Sequence, residues 1–345
     1  MSFAIGEGRV RPRLAVLGAD GFIGSRLVHA ALAAGADVTA ICVRPPWRLE
    51  EIDVAPFRIV RVPGGRWWDG AGLATVAGAL ADADALALLA YEAPEVRQGA
   101  AALEHEREVN VGGAASVAEI AADLGVRVLF ASSADVYGSP GDAPVTEHAE
   151  PQPVTPYGIA KLEAERLVDA ACRRARGAVS ARLSTVFGPH EHAARAIPSF
   201  IRAMAAGERP VVHGEGDDLR DYAYVDDVAH ALARCALDPF AFSAVAPVIN
   251  IGSGTGRTTL QVLEAVAGVM GTAPIARHVP SDRPTSKLTL DVTRARCGVG
   301  FDNFTSFEEG IRIEAAALVT GLPRAVAPSL ELNARAPLRN RATRV

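Results

Sequence analysis

Arg13-Leu14-Ala15-Val16-Leu17-Gly18-Ala19-Asp20-Gly21-Phe22-Ile23-Gly24-Ser25-Arg26-Leu27-Val28-His29-Ala30-Ala31-Leu32 joins a short apolar run, a glycine-rich turn and a stretch with helical apolar spacing. Arg13 to Leu17 reads as a buried strand, and Ser25 to Leu32 as the helix that leaves the turn. Glycine at 18, 21 and 24 permits tight backbone geometry. It also lets a pyrophosphate approach the helix N-terminus, where unpaired N–H groups and the helix dipole favour anions. These glycines are spaced three and three, where the common dinucleotide fingerprint has two and three. With a strand before it and a helix after it, the turn has the context a dinucleotide site requires. Gly18, Gly21, Phe22, Ile23 and Gly24 are therefore expected to hold a dinucleotide cofactor.

Outward from that turn, apolar strand-like runs at 37–43, 58–62, 85–90, 126–132 and 179–184 alternate with amphipathic segments such as 103–124 and 157–174. Such alternation implies an α/β chain with a Rossmann-type, doubly wound, mostly parallel sheet. From about Gly188 the pattern loosens. Short strands are expected at 211–212 and 248–251, and helices at 194–206 and 258–270. The organisation read from this is a dinucleotide-binding domain over 11–188 with later segments interleaved, then a smaller, mainly substrate-binding lobe over 189–322. The stretch 323–345 is rich in Arg, Pro and Ala without periodicity, and a disordered tail is expected there.

Tyr157 and Lys161 lie four residues apart in Pro156-Tyr157-Gly158-Ile159-Ala160-Lys161, on one face of a helix. Tyrosine, with a reference pKa of ~10, is a poor proton-transfer group near neutrality unless a nearby cation stabilises its anion. A lysine one turn away supplies that charge. Ser133, at the end of the apolar run from Val126, is placed to hydrogen-bond the same reacting oxygen. Ser133, Tyr157 and Lys161 are the expected catalytic group.

Composition limits the alternatives. The 345 residues can bury a large core, and 49% are apolar, yet no apolar run approaches the ~20 residues that span a bilayer. The first residues lack the apolar core of a signal peptide. Cys42, Cys172, Cys235 and Cys297 are far apart, and the histidines are not clustered, so reduced thiols in a cytoplasm are expected and a metal site is not. A net charge of −5 argues against a nucleic-acid partner. An anionic substrate must be held by local arginines and helix ends.

Gly18-x-x-Gly21-x-x-Gly24, Ser132-Ser133-Ala134-Asp135-Val136-Tyr137-Gly138, Tyr157-x-x-x-Lys161 and Arg220-Asp221-Tyr222-Ala223-Tyr224-Val225-Asp226-Asp227 stand in this order. Together they resemble the extended short-chain dehydrogenase/reductases, and within them the epimerases, dehydratases and ketoreductases of nucleotide sugars. The resemblance runs from about Arg13 to Leu322. It implies a nucleoside-diphosphate sugar as substrate and a nicotinamide dinucleotide as cofactor. It also implies a homodimer packed through the helices at 103–124 and 157–174.

The resemblance expects an aspartate on the adenosine ribose at the end of the second strand, and Cys42 stands there with Arg44 two residues on. Loss of the carboxylate removes repulsion against a 2′-phosphate, and an arginine can clamp one, so NADP(H) is favoured over NAD. Leu89 and Ala90, after the fourth strand, and Asn110 are expected beside the cofactor, with Tyr157 and Lys161 at its nicotinamide end. Asn110 is equally readable as a structural amide.

Related 4,6-dehydratases follow their catalytic Ser or Thr with an acidic pair. Ala134 takes the first of those positions and only Asp135 remains, which argues against dehydration. Two reactions stay open. One is reduction of an NDP-4-keto-6-deoxyhexose at C4, with Tyr157 as proton donor. The other is NAD-dependent 4-epimerisation. Cys42, Arg44 and a turn at 87–91 that lacks the epimerases' histidine lean towards the reductase, as in antibiotic deoxysugar pathways. A non-catalytic NADP-binding regulator is a third reading, opposed by the presence of all three catalytic residues. By the resemblance Arg220 and Arg283 are expected on the substrate diphosphate, and Asn250 in the nucleotide pocket or as a turn cap. Asp226 and Asp227 read as caps of the next helix. His190 and His192 fall near the expected substrate side.

Overall fold

Glycine geometry sets the first turn of the fold, as β1 (Arg13–Leu17) enters α1 (Phe22–Ala33) through Gly18, whose φ is +89°. The computed structural model describes residues 11–50, 52, 57–95, 98–191, 194–302 and 304–320. A Cβ on Gly24 would lie 2.1 Å from the Gly18 carbonyl oxygen, and one on Gly18 would lie 2.7 Å from the Ala90 nitrogen. Only glycine lets these segments pack so closely. His192 and the tail 323–345 lie outside the described residues.

The chain continues as β2 (Asp37–Cys42), β3 (Phe57–Arg61), α2 (Gly70–Leu80), β4 (Ala85–Leu88) and α3 (Gly99–His105). A π-helical turn (Glu106–Val111) leads into α4 (Gly112–Asp123), so the helix expected over 103–124 is one helical run with a widened turn inside it. Next come β5 (Arg127–Ser133), α5 (Pro156–Cys172), β6 (Ala178–Leu183), β7 (Thr185–Phe187), α6 (Ala196–Ala205), β8 (Val211–His213) and β9 (Leu219–Tyr224). The remainder is α7 (Val225–Leu237), α8 (Pro239–Val245), β10 (Val248–Ile251), β11 (Gly256–Thr258), α9 (Thr259–Met270), β12 (Arg277–Val279), β13 (Lys287–Leu288), α10 (Thr293–Val299) and α11 (Phe307–Thr320).

Seven strands form one sheet in the order β10-β6-β5-β4-β1-β2-β3, and all its pairings are parallel. Leu14 and Val16 of β1 join one apolar cluster and Ala15 and Leu17 the other, so the strand is buried on both faces. That is why its sequence is a continuous apolar run and not an alternation. Leu27 and Val28 of α1 and Val228 and Leu232 of α7 cover the first face. Leu80, Val117, Ala164 and Val168, from α2, α4 and α5, cover the second. Each such fully buried Leu or Val contributes about 1.5–3 kcal/mol.

Strand β10 lies beside β6 in this large sheet, although it follows the looser part of the sequence. The smaller sheets, β11-β9-β13 with β7 on β9, and β12-β8, lie apart from it. Strand order reverses between β4 and β1, and the carboxyl ends there open the crevice where such sheets bind ligands.

Candidate active site

A cavity of about 560 Å³ follows that crevice. It begins at Gly18, Gly21, Phe22, Ile23 and Gly24, passes Leu89 at the end of β4, and reaches Ser133, Tyr157 and Lys161. Arg195 and Arg220 line it as well. No side chain caps the N-terminus of α1, and its first turn carries no acid. Those N–H groups can therefore face a pyrophosphate. An uncapped helix end at one end of the cavity and a tyrosine–lysine pair along it fit an elongated dinucleotide.

Ser133, Tyr157 and Lys161 are brought together by β5 and α5. Thr155 accepts from the Gly158 N–H at 3.0 Å, and Pro156 opens the helix, which fixes the turn carrying Tyr157. Ser133 accepts from the Asp135 N–H at 3.2 Å, and its hydroxyl also bonds Tyr157. Lys161 is 8% exposed and donates to the Ala131 carbonyl at 2.8 Å. Its Nζ lies 5.7 Å from the Tyr157 ring centroid.

Burial pushes the Tyr157 phenol up to about 12, the Asp135 charge adds to the rise, and the Ser133 bond opposes it. Burial pulls Lys161 down to about 8. The expectation that Lys161 lowers the Tyr157 pKa is therefore corrected for the protein alone. Desolvation outweighs the lysine, whose hydrogen bond goes to the backbone. As it stands the phenol is held protonated.

Several expected residues lie elsewhere. Asn250 is fully buried: its amide donates to the Val145 and Asp291 carbonyls and its oxygen accepts from Tyr137. It is a structural tie between β10 and neighbouring loops, and every polar atom of its side chain is used. Arg283 is exposed in the loop between β12 and β13, away from the cavity lining. Arg220 lines the cavity and donates to the Ser286 hydroxyl at 2.7 Å, which steadies its guanidinium.

Asn110 exchanges hydrogen bonds with the backbone of Glu92, both at 2.8 Å, so it anchors the loop after β4. Ala90 is buried, with its backbone against Gly18. Arg44 is exposed and pairs with Glu92 at 3.7 Å. Cys42 is buried, and the amide after it donates to the buried Asp20 carboxylate at 2.9 Å. Tyr224 stands at the N-cap position of α7 without a side-chain cap bond, and Asp226 and Asp227, expected as caps, lie in the first turn. Asp226 pairs with Arg26, and Asp227 accepts from the backbone and hydroxyl of Thr305. His190 stacks edge-on against Trp47.

Among the cavity residues that escaped the sequence reading, three bear on the site. Tyr91 stacks edge-on against Tyr157 with centroids 5.3 Å apart, and Glu106 accepts its hydroxyl at 2.5 Å. Arg195 pairs with the buried Glu191 at 3.7 Å. A readable signal existed for Glu106 alone, as an acid on the apolar face of a helix, four residues before Asn110. Among the described residues no cluster of three or more metal-ligating side chains exists, and no helix is long and apolar enough to cross a membrane.

Known proteins are similar to this chain in sequence and fold. The sequence model of the NAD dependent epimerase/dehydratase family matches residues 14–252. The UDP-glucose 4-epimerase of Mycolicibacterium smegmatis is 30% identical over 326 residues, covering 87% of this chain and 96% of that protein. The dTDP-glucose 4,6-dehydratase of Streptomyces niveus is 29% identical over 312 residues, 87% of this chain and 90% of that one. Among solved structures, MoeE5 in complex with UDP-glucose and NAD is 29% identical with a TM-score of 0.75, over 90% of this chain and 99% of that chain.

Proposed function

We propose, for a chain that belongs to the NAD-dependent epimerase/dehydratase family of extended short-chain dehydrogenase/reductases, that it is an NAD-dependent 4-epimerase of a nucleoside-diphosphate hexose. The observation that carries this reading is the cavity itself. Ser133, Tyr157 and Lys161 line it together with Arg220 and Arg195, and Ala134 stands beside Ser133 where elimination would need an acid. That leaves redox chemistry at C4.

When bound, the nicotinamide cofactor supplies hydride exchange at that carbon. Tyr157 handles the proton on the C4 oxygen: as the phenolate, which positive charge beside the ring would favour, it accepts that proton as the carbonyl forms and returns it as the carbonyl is reduced. Ser133 hydrogen-bonds the same oxygen and orients it. Lys161 places a positive charge near the tyrosine ring and within reach of the cofactor ribose. Arg220 and Arg195 hold the diphosphate. NAD suits the far end of the crevice, because Arg44 is engaged by Glu92 and a second carboxylate, Asp20, lies at the end of β2. Both acids repel a 2′-phosphate. Leu124 and Leu167 are exposed beside the face of α4 and α5 that would join two copies.

A second reading, an NADPH-dependent 4-ketoreductase, is favoured by Cys42 at the ribose position and by a Tyr157 held protonated. The test is to incubate the purified protein with UDP-glucose and dTDP-glucose without added cofactor. A C4 epimer in the NMR spectrum, with NAD released on denaturation, supports the epimerase. No epimer, with NADPH oxidised by a dTDP-4-keto-6-deoxyhexose, overturns it in favour of the reductase.

A further inference from the structure

Lysine occurs only at 161 and 287 in this chain, where lysine and arginine together number 35. Lys161 is buried, and a buried ammonium needs a counter-charge. Glu165, one turn on, is already spent. Its two oxygens take Arg182 Nε at 3.0 Å and Nη2 at 2.7 Å, and one of them also takes the Ser132 hydroxyl. Asp135 and Arg195 exert their charge on Tyr157.

Glu106, in the π-helical turn that packs on α5, is 1% exposed. Its hydrogen bonds come from two neutral donors, the Tyr91 hydroxyl at 2.5 Å and the Asn110 amide at 2.8 Å. The neighbouring cation, Arg107, turns away to Glu163 at 2.6 Å. Both Glu106 and Lys161 line the same cavity, with the Tyr91 ring 5.5 Å from Nζ and its hydroxyl on the carboxylate. A buried carboxylate bonded only to neutral groups thus shares the cavity with a buried ammonium, and the acid one turn along from that ammonium is taken.

We infer that Glu106 is the counter-charge of Lys161, acting across Tyr91 as a positioning residue that keeps the lysine protonated. The direction of the lysine's own titration agrees, since Glu106 opposes the fall caused by burial and does so ahead of Glu165. The catalytic consequence rests on the proposed role of Lys161 beside Tyr157, but the test needs no substrate.

With only two lysines, 13C-lysine labelling gives two titrating Cε signals, and a Lys287→Arg variant assigns them. Lys287 is half-exposed and paired with Asp142, so it serves as the internal reference. Glu106→Gln keeps the shape: its oxygen can accept from Asn110, and its amide can donate to the Tyr91 oxygen. The expected result is a Lys161 midpoint lower by about one pH unit, the lower end of the effect of a nearby opposite charge. Lys287 should not move, and Glu106→Asp should restore the midpoint. An unmoved Lys161 midpoint in folded Glu106→Gln overturns the inference. If Glu106→Gln does not fold, the pair Lys161→Met with Glu106→Gln must fold, because it strands no charge, and failure of the pair also overturns it. Absence of turnover in the wild type bears on the epimerase alone.

In active protein the basic limb of the kcat profile should move with the lysine. A merely structural Glu106 would leave that limb in place.

Discussion

Lys161 donates from Nζ to the carbonyl oxygen of Ala131 at 2.8 Å, crossing from α5 to β5 one turn along from Tyr157. The bond fixes the ammonium against the sheet, where its charge reaches Tyr157 through space and not by direct contact. In the free protein that leaves the phenol high and the lysine low.

The pH dependence of stability follows in sign. Lys161 titrates near 8 in the folded chain against 10.5 ordinarily, so between those values the unfolded chain binds more protons. Stability contributed at this site rises across that window. The urea midpoint of the wild type should gain on that of Lys161→Met from pH 8 to 10.5, whatever their offset at pH 7. A constant difference contradicts the depressed pKa.

On the proposed mechanism, Tyr157→Phe removes the proton that meets the C4 oxygen and little else. Turnover should fall by about 10²–10⁴-fold, with cofactor affinity nearly unchanged by calorimetry. Undiminished turnover rejects the tyrosine as acid and base.

Gly24→Ala drives a methyl group to 2.1 Å from the Gly18 carbonyl. The turn must open, and the helix N-terminus then moves off the pyrophosphate. Loss of about tenfold or more in dinucleotide affinity is expected, together with a lower Tm. Wild-type affinity in this variant removes the turn from the cofactor site.

Arg182 and Glu165 form a buried ion pair, each side chain 5% exposed. Glu165→Gln leaves the guanidinium uncompensated and should destabilise the chain by about 3–5 kcal/mol in denaturant titration. A change below about 1 kcal/mol, the value of a surface pair, argues that water reaches the site.

Arg44→Ala tests the cofactor assignment. The exposed pair with Glu92 contributes little, so NAD affinity should stay within about twofold. A selective collapse of NADP binding supports the reductase.

What the sequence determined by itself is local and periodic. The apolar run of β1, the glycines at 18, 21 and 24, and the four-residue spacing of Tyr157 and Lys161 follow from rules that act within a few residues. They sufficed for the parallel sheet and for one end of the site. Tertiary structure decided what depends on burial and on partners remote in the chain. Asn250 reads from sequence as either a pocket residue or a turn cap and is a structural tie by packing, because Tyr137, Val145 and Asp291 reach it from other segments. Arg44 looked free until Glu92, on the far side of β1, was brought to it. Tyr157 looked activated, yet desolvation, which exists only once the fold closes over the ring, sets its proton affinity. Spacing fixes which face a side chain occupies. Only the packed interior fixes its dielectric surroundings and its partners.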